Sequence, residues 1–121
     1  SRGDNTIFAS ITSIAGIRGW GISPAYSASK SYQSVYLEAL RQRANNQKSK
    51  IHVVEICPGF VDTQMGQGSG VFWRSSAKKA AKQIINSINK SKRVIYITKR
   101  WRLIAIILKL IPKFIFENLK Y

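Results

Sequence analysis

Apolar residues along the 121-residue chain recur at two spacings, and the switches between them mark out the elements. Residues 6–12 (Thr-Ile-Phe-Ala-Ser-Ile-Thr) read as a buried strand, 51–57 (Ile-His-Val-Val-Glu-Ile-Cys) as a second and 93–98 (Arg-Val-Ile-Tyr-Ile-Thr) as a third. A Gly- and Ser-rich loop at 13–23 leads from the first strand to Ser23 and Pro24, a cap followed by a proline in the first turn of a helix. Ala28, Tyr32, Val35 and Ala39 then form one apolar stripe at helical spacing. This helix runs to about Asn45, and Asn45-Asn46-Gln47-Lys48 ends it. Pro58-Gly59 stops the second strand, and residues 60–74 read as an irregular loop made mobile by Gly66, Gly68 and Gly70. Ser75 or Ser76 caps a helix reaching Asn89, and a last helix covers about 101–119, interrupted at Pro112. Strand, helix, strand, helix, strand is the rhythm of a parallel sheet with right-handed crossovers. Ligands of such sheets bind beyond the carboxyl ends of the strands, so Ser13 and Pro58-Gly59 are expected on one rim.

Charge changes the picture towards the C-terminus. Residues 1–62 hold 7 basic and 4 acidic residues, whereas 63–121 hold 13 basic and 1 acidic residue, and the total is +15. That imbalance points to an anionic partner such as a membrane surface, a nucleic acid or a phosphorylated ligand. One cysteine excludes an internal disulfide and fits a reducing, cytoplasmic compartment. Cys57 and His52 lie five apart on a strand and point to opposite faces, which argues against a Cys–His nucleophile. Cys57 is expected as a buried thiol and His52 on the strand surface, with no metal-site spacing around either. No apolar run follows a basic start, so no signal peptide is read. The chain opens on Ser1-Arg2-Gly3-Asp4 rather than Met, and the N-terminal part of a longer protein is expected to be missing. Arg2-Gly3-Asp4 matches a cell-adhesion tripeptide by chance.

The candidate chemistry lies on the first helix. Tyr26 and Lys30 are four apart in Tyr26-Ser27-Ala28-Ser29-Lys30, so they share a face with Cβ atoms roughly 5–6 Å apart. A lysine ammonium beside a phenol favours the phenolate, which makes the pair a proton donor and acceptor usable near neutral pH. Ser13 lies thirteen residues before Tyr26. With Ile11-Thr12-Ser13-Ile14-Ala15-Gly16 before the pair and Pro58-Gly59-Phe60-Val61-Asp62-Thr63 after it, the chain resembles the short-chain dehydrogenase/reductase family. The Tyr–Lys pair alone is a weak signal; three motifs in family order are a strong one.

The resemblance implies the C-terminal half of a Rossmann-like, doubly wound parallel α/β domain over residues 1–98; the residues themselves give 99–121 as a basic amphipathic C-terminal helix. It implies an NAD(P)-dependent oxidoreductase interconverting a carbonyl and a secondary alcohol, with a slight lean to NADP over NAD. Tyr26 would be the general acid or base, and Lys30 would lower the cost of its phenolate and hydrogen-bond the nicotinamide ribose. Ser13 would hold the substrate oxygen. Val61, through its backbone, and Thr63 would hold the carboxamide end, with Pro58 and Gly59 letting the backbone come close. The family pairs subunits through the Tyr-bearing helix, so a homo-oligomer is expected of the full-length protein. Thr12 stands where the family commonly has serine. The larger departure is that the 121 residues contain no Gly-rich phosphate turn, no residue selecting the 2′ group and no upstream active-site Asn. Gly66-Gln67-Gly68-Ser69-Gly70 does not replace the turn and is read as a substrate lid. The fragment alone is therefore expected to bind dinucleotide poorly.

The tail departs from the minimal family pattern. Leu103 to Leu108 is an apolar run continued by Leu110, Ile111, Phe114, Ile115, Phe116 and Leu119, while Arg102, Lys109, Lys113 and Lys120 line one narrow stripe. Lys109 and Pro112 break it below the ~20 apolar residues of a membrane span. Three readings stay open: a helix docked on the protein's own core or a subunit, an interfacial membrane helix, or a cover over a long apolar substrate. The alternative to an oxidoreductase is a catalytically inactive fragment acting as a binding or membrane-surface module. Its apolar content favours lipid over nucleic acid as the anionic partner.

Overall fold

The structure, a computed structural model, describes residues 6–59, 61–62, 75–90, 92–97 and 99–120. Three strands form one parallel sheet in the order β1 (Thr6–Ile11), β2 (Ile51–Pro58), β5 (Val94–Ile97). Ile11 pairs with Ile56 and Pro58 with Ile97, which aligns the carboxyl ends on one rim. Helix α1 (Pro24–Asn46) links β1 to β2, and α2 (Ala77–Asn89) precedes β5. Within the stretch read as an irregular loop lies β3 (Val61–Asp62), which pairs in parallel with β4 (Ser75–Ser76), the residues expected to cap the next helix, just ahead of α2. The last expected helix is two pieces, α3 (Arg100–Leu110) and α4 (Lys113–Phe116), broken as expected at Pro112.

Side chains alternate across β2, so its two faces meet different partners. Val54 and Ile56 pack with Ile95 and Ile97 against Ala80, Ile84 and Ile88, a four-residue spacing that forms the inner stripe of α2. Cys57, on the other face, packs with Ile14, Trp101 and Ala105, joined by Val94 and Tyr96. Helix α1 lies on this second face: Ser34 donates to Glu55 and Arg41 donates to the Val53 carbonyl oxygen. The sheet is therefore covered on both sides at β2 and β5, a partial Rossmann-like α/β arrangement, whereas β1, expected as a buried strand, is an edge and exposed along most of its length. The strand order advances in one direction while α1 and α2 lie on opposite faces, so the two crossovers differ in hand. This corrects the expectation of right-handed crossovers throughout. The preference belongs to compact strand–helix–strand units, and the second connection is lengthened by β3 and β4.

Helix α1 turns a different face inward from its most apolar one. Ser27 and Leu37 are buried, whereas Tyr32 is 69% and Val35 63% exposed, with Ala28 and Ala39 exposed beside them. The hydroxyl and guanidinium bonds to Glu55 and Val53 fix that orientation and leave Tyr32 and Tyr36 stacked outside at 6.1 Å. Past the last residue of the helix, and after its C-cap Gln47, Lys48 adopts the left-handed region at φ 50°. Ser49 donates to the Ala44 carbonyl there, the bond of a Schellman-type stop.

Candidate active site

The rim is built from the end of β1 outwards. The Thr12 hydroxyl donates to Glu55 Oε1 at 2.8 Å, and its N–H donates to the Ile56 carbonyl at 2.8 Å. Ser13 follows in extended conformation, and its Oγ accepts the Ala15 N–H at 3.2 Å. This caps the single 3-10 turn Ile14–Gly16 and leaves the Ser13 hydroxyl proton free to donate elsewhere. A Cβ on Gly16 would lie 2.7 Å from the Lys30 carbonyl carbon and 2.8 Å from the Ser31 nitrogen. The absence of a side chain thus lets the Ser13 turn rest directly on the backbone of α1 at Lys30. Ser27 secures the following loop: its Oγ accepts the Trp20 N–H at 3.2 Å and donates to the Pro24 carbonyl at 3.0 Å.

Tyr26 is 44% exposed in the first turn of α1, and the half-buried Lys30 places Nζ 5.7 Å from the centre of its ring. That is within reach of a cation–π contact. Ser13, Tyr26 and Lys30 therefore belong to two elements packed directly together at the carboxyl end of the sheet. Pro58 and Gly59 stand on the same rim, where the Gly59 N–H donates to the Ile97 carbonyl at 2.7 Å. A Cβ on Gly59 would fall 2.2 Å from the Trp101 ring, so the glycine's missing side chain makes room for that indole. Val61 lies in β3, paired with Ser75. Thr63 and the Gly66, Gly68 and Gly70 stretch lie outside the described residues.

Cys57 is buried, as expected, beneath this rim. Burial pushes its thiol from an ordinary 9.0 up to about 11, with the Glu55 carboxylate adding to the rise and the Thr12 hydroxyl and Lys109 opposing it. The thiol stays protonated and is no nucleophile. His52 is exposed on its strand.

Two supporting residues escaped the sequence reading. Glu55 is 8% exposed and accepts both Thr12 and Ser34 hydroxyls, tying β1 and α1 to the central strand. A lone acid inside an apolar run was its only signal. Arg18 donates Nη1 to the Leu108 carbonyl at 2.9 Å and to the Ile111 carbonyl, capping α3 from the loop after Ser13. Its guanidinium also lies 4.4 Å over the Phe116 ring, against which Trp20 packs edge-on at 5.7 Å. Nothing local to Arg18 in sequence signals those partners.

A parallel half-sheet with helices on both faces, a hydroxyl turn and a Tyr–Lys pair on its carboxyl rim has the build of a nucleotide-dependent dehydrogenase domain. The sequence model of the short chain dehydrogenase family matches residues 4–72, more than half the chain, and the chain belongs to that family. The match takes in β1, α1 and β2 and ends before α2, β5 and the tail. No curated protein matches the chain. Membership suggests an NAD(P)-dependent oxidoreductase acting on small molecules.

Proposed function

We propose that residues 1–98 are the C-terminal half of a dehydrogenase domain that interconverts a carbonyl and a secondary alcohol, with residues 99–121 a separate basic C-terminal segment. The observation that carries this is the packing of the Ser13 turn on the very turn of α1 that bears Lys30, with Tyr26 exposed beside it. In reduction, the Tyr26 phenol gives its proton to the carbonyl oxygen, and in oxidation the phenolate takes it back. The Ser13 hydroxyl donates to that same oxygen and fixes its position. Lys30, with Nζ 5.7 Å from the centre of the Tyr26 ring, keeps a cation beside that proton transfer.

A phenol, an ammonium and a hydroxyl on one rim fit the ribose and nicotinamide end of a dinucleotide. Lys30 would hold the ribose, and Pro58, Gly59, Val61 and Thr63 would hold the carboxamide. The bound dinucleotide supplies or accepts the hydride. A chain this basic favours NADP over NAD, although its 121 residues carry no Gly-rich turn for the pyrophosphate. The apolar tail favours a lipid-like ketone or alcohol as substrate, and a cytoplasmic location peripheral to a membrane. The exposed Tyr32, Val35 and Tyr36 surface supports homo-oligomer formation.

The test is Tyr26→Phe in the complete protein. Turnover should fall to background with unchanged circular dichroism; turnover at the wild-type level defeats the assignment. A second reading, an inactive binding module, is favoured by the Trp101 ring filling the space beside Gly59. NADPH fluorescence titration separates the two, because the inactive module leaves the nicotinamide emission unchanged in the complete protein as well as in the 121 residues.

A further inference from the structure

We propose that the outward face of α3 and α4 is a docking surface for an anionic lipid bilayer. Helix α3 is apolar on two opposite stripes. Trp101, Ile104, Ala105 and Leu108 turn inward onto the sheet. Leu103, Ile106, Ile107 and Leu110 repeat the same three–one–three spacing half a turn away and face outward, Leu110 being 75% exposed. Past the Pro112 break Phe114, 69% exposed, Ile115 and Leu119 add further exposed apolar side chains. A helix that needed one apolar stripe to dock on its own protein carries a second with no use in the described fold. That surface exceeds the scattered apolar residues of an ordinary exterior.

The charges around it choose the occupant. By angular position Arg102 and Lys109 flank the outward stripe on one side and Arg100 on the other, and all three are exposed. Residues 99–120 carry six basic residues against Glu117 alone. At its N-terminal end the stripe meets a groove of about 630 Å³ along β5, lined by Lys92, Arg93, Lys99 and Arg102 with Tyr96. Apolar side chains bordered by cations, with a groove rimmed by four basic residues beside them, match the boundary between acyl chains and anionic headgroups. A second copy of this chain would bring like charges together, and a nucleic acid has no use for the leucines and isoleucines. Among the described residues no helix is long and apolar enough to cross a membrane, so the surface lies on the bilayer rather than in it. Arg18 then links a lipid-bound tail directly to the loop after Ser13. The inference stands on this geometry and does not need the oxidoreductase reading.

The experiment is co-sedimentation of the full chain with neutral phosphatidylcholine vesicles, with vesicles containing phosphatidylserine, and a parallel titration with duplex DNA. Binding to the anionic vesicles should exceed binding to neutral ones by at least about tenfold and weaken with salt. Ile107→Asp with Leu110→Asp should weaken it by about tenfold or more. Both side chains are exposed, so the thermal melt should stay in place and exclude misfolding as the cause. Lys99→Glu with Arg102→Glu should remove most of the preference for phosphatidylserine. Failure of the wild-type chain to bind anionic vesicles, tighter binding to DNA than to vesicles, or wild-type binding by the double aspartate variant would each overturn the proposal.

Discussion

Glu55 receives two hydroxyl protons in a position with little access to water, and each donor belongs to a different element. Glu55→Ala strands both hydroxyls and is expected to cost about 2–3 kcal/mol, read from urea melts. Both hydroxyls share Oε1, so Glu55→Gln keeps an oxygen that accepts both and loses only the charge, and should cost no more than about half as much. The neighbouring thiol gives a pH signature. Its pKa is higher folded, about 11, than its ordinary 9.0, so its contribution is complete below pH 9 and is lost as pH rises towards 11. Stability should fall across that window with a slope of up to about 1.4 kcal/mol per pH unit, and Cys57→Ala should flatten it. At this scale the sequence displayed the Tyr26–Lys30 pair because a helix converts a spacing of four into contact. It concealed Glu55's role because the donors come from 43 and 21 residues away.

Among the elements, the three strands of the main sheet and α1 follow their apolar runs and breakers to within a residue or two of expectation, whereas β3 and β4 fall where a loop and a helix cap are expected. The orientation of α1 does not follow from its hydrophobicity. Its apolar stripe faces out because Ser34 and Arg41 have partners on β2 that no periodicity reveals. Likewise Pro112 foretold the break in the last helix, but its two-sided apolar surface emerges only once one side is seen docked. Lys48 sits where glycine is at ease. Lys48→Gly is expected to stabilise by about 0.5–1 kcal/mol in thermal or chemical melts. Gly16→Ala should do the reverse. Its methyl would press on the Lys30 backbone, costing about 1–3 kcal/mol and displacing the Ser13 turn from α1. If the proposed chemistry holds, turnover of the complete protein should fall by more than this loss of folded protein explains.

Across the whole molecule, charge and topology set the behaviour. A net charge of +15 on 121 residues repels itself, so the melting temperature should rise between low and moderate salt. A melt that is flat with salt would mean that the cations are already compensated. Strand β1 is an edge with Ile7, Phe8 and Ile11 exposed, the kind of border that sticks to other chains unless covered. Arg18 crosses the molecule to reach carbonyls 90 and 93 residues further along. During synthesis that guanidinium leaves the ribosome long before its partners do. The loop beyond Ser13 therefore waits, half-anchored, until residues 108–111 have emerged, and a premature stop codon between Thr63 and Leu108 would leave it unfastened even though every residue with a proposed part in the chemistry had already been made.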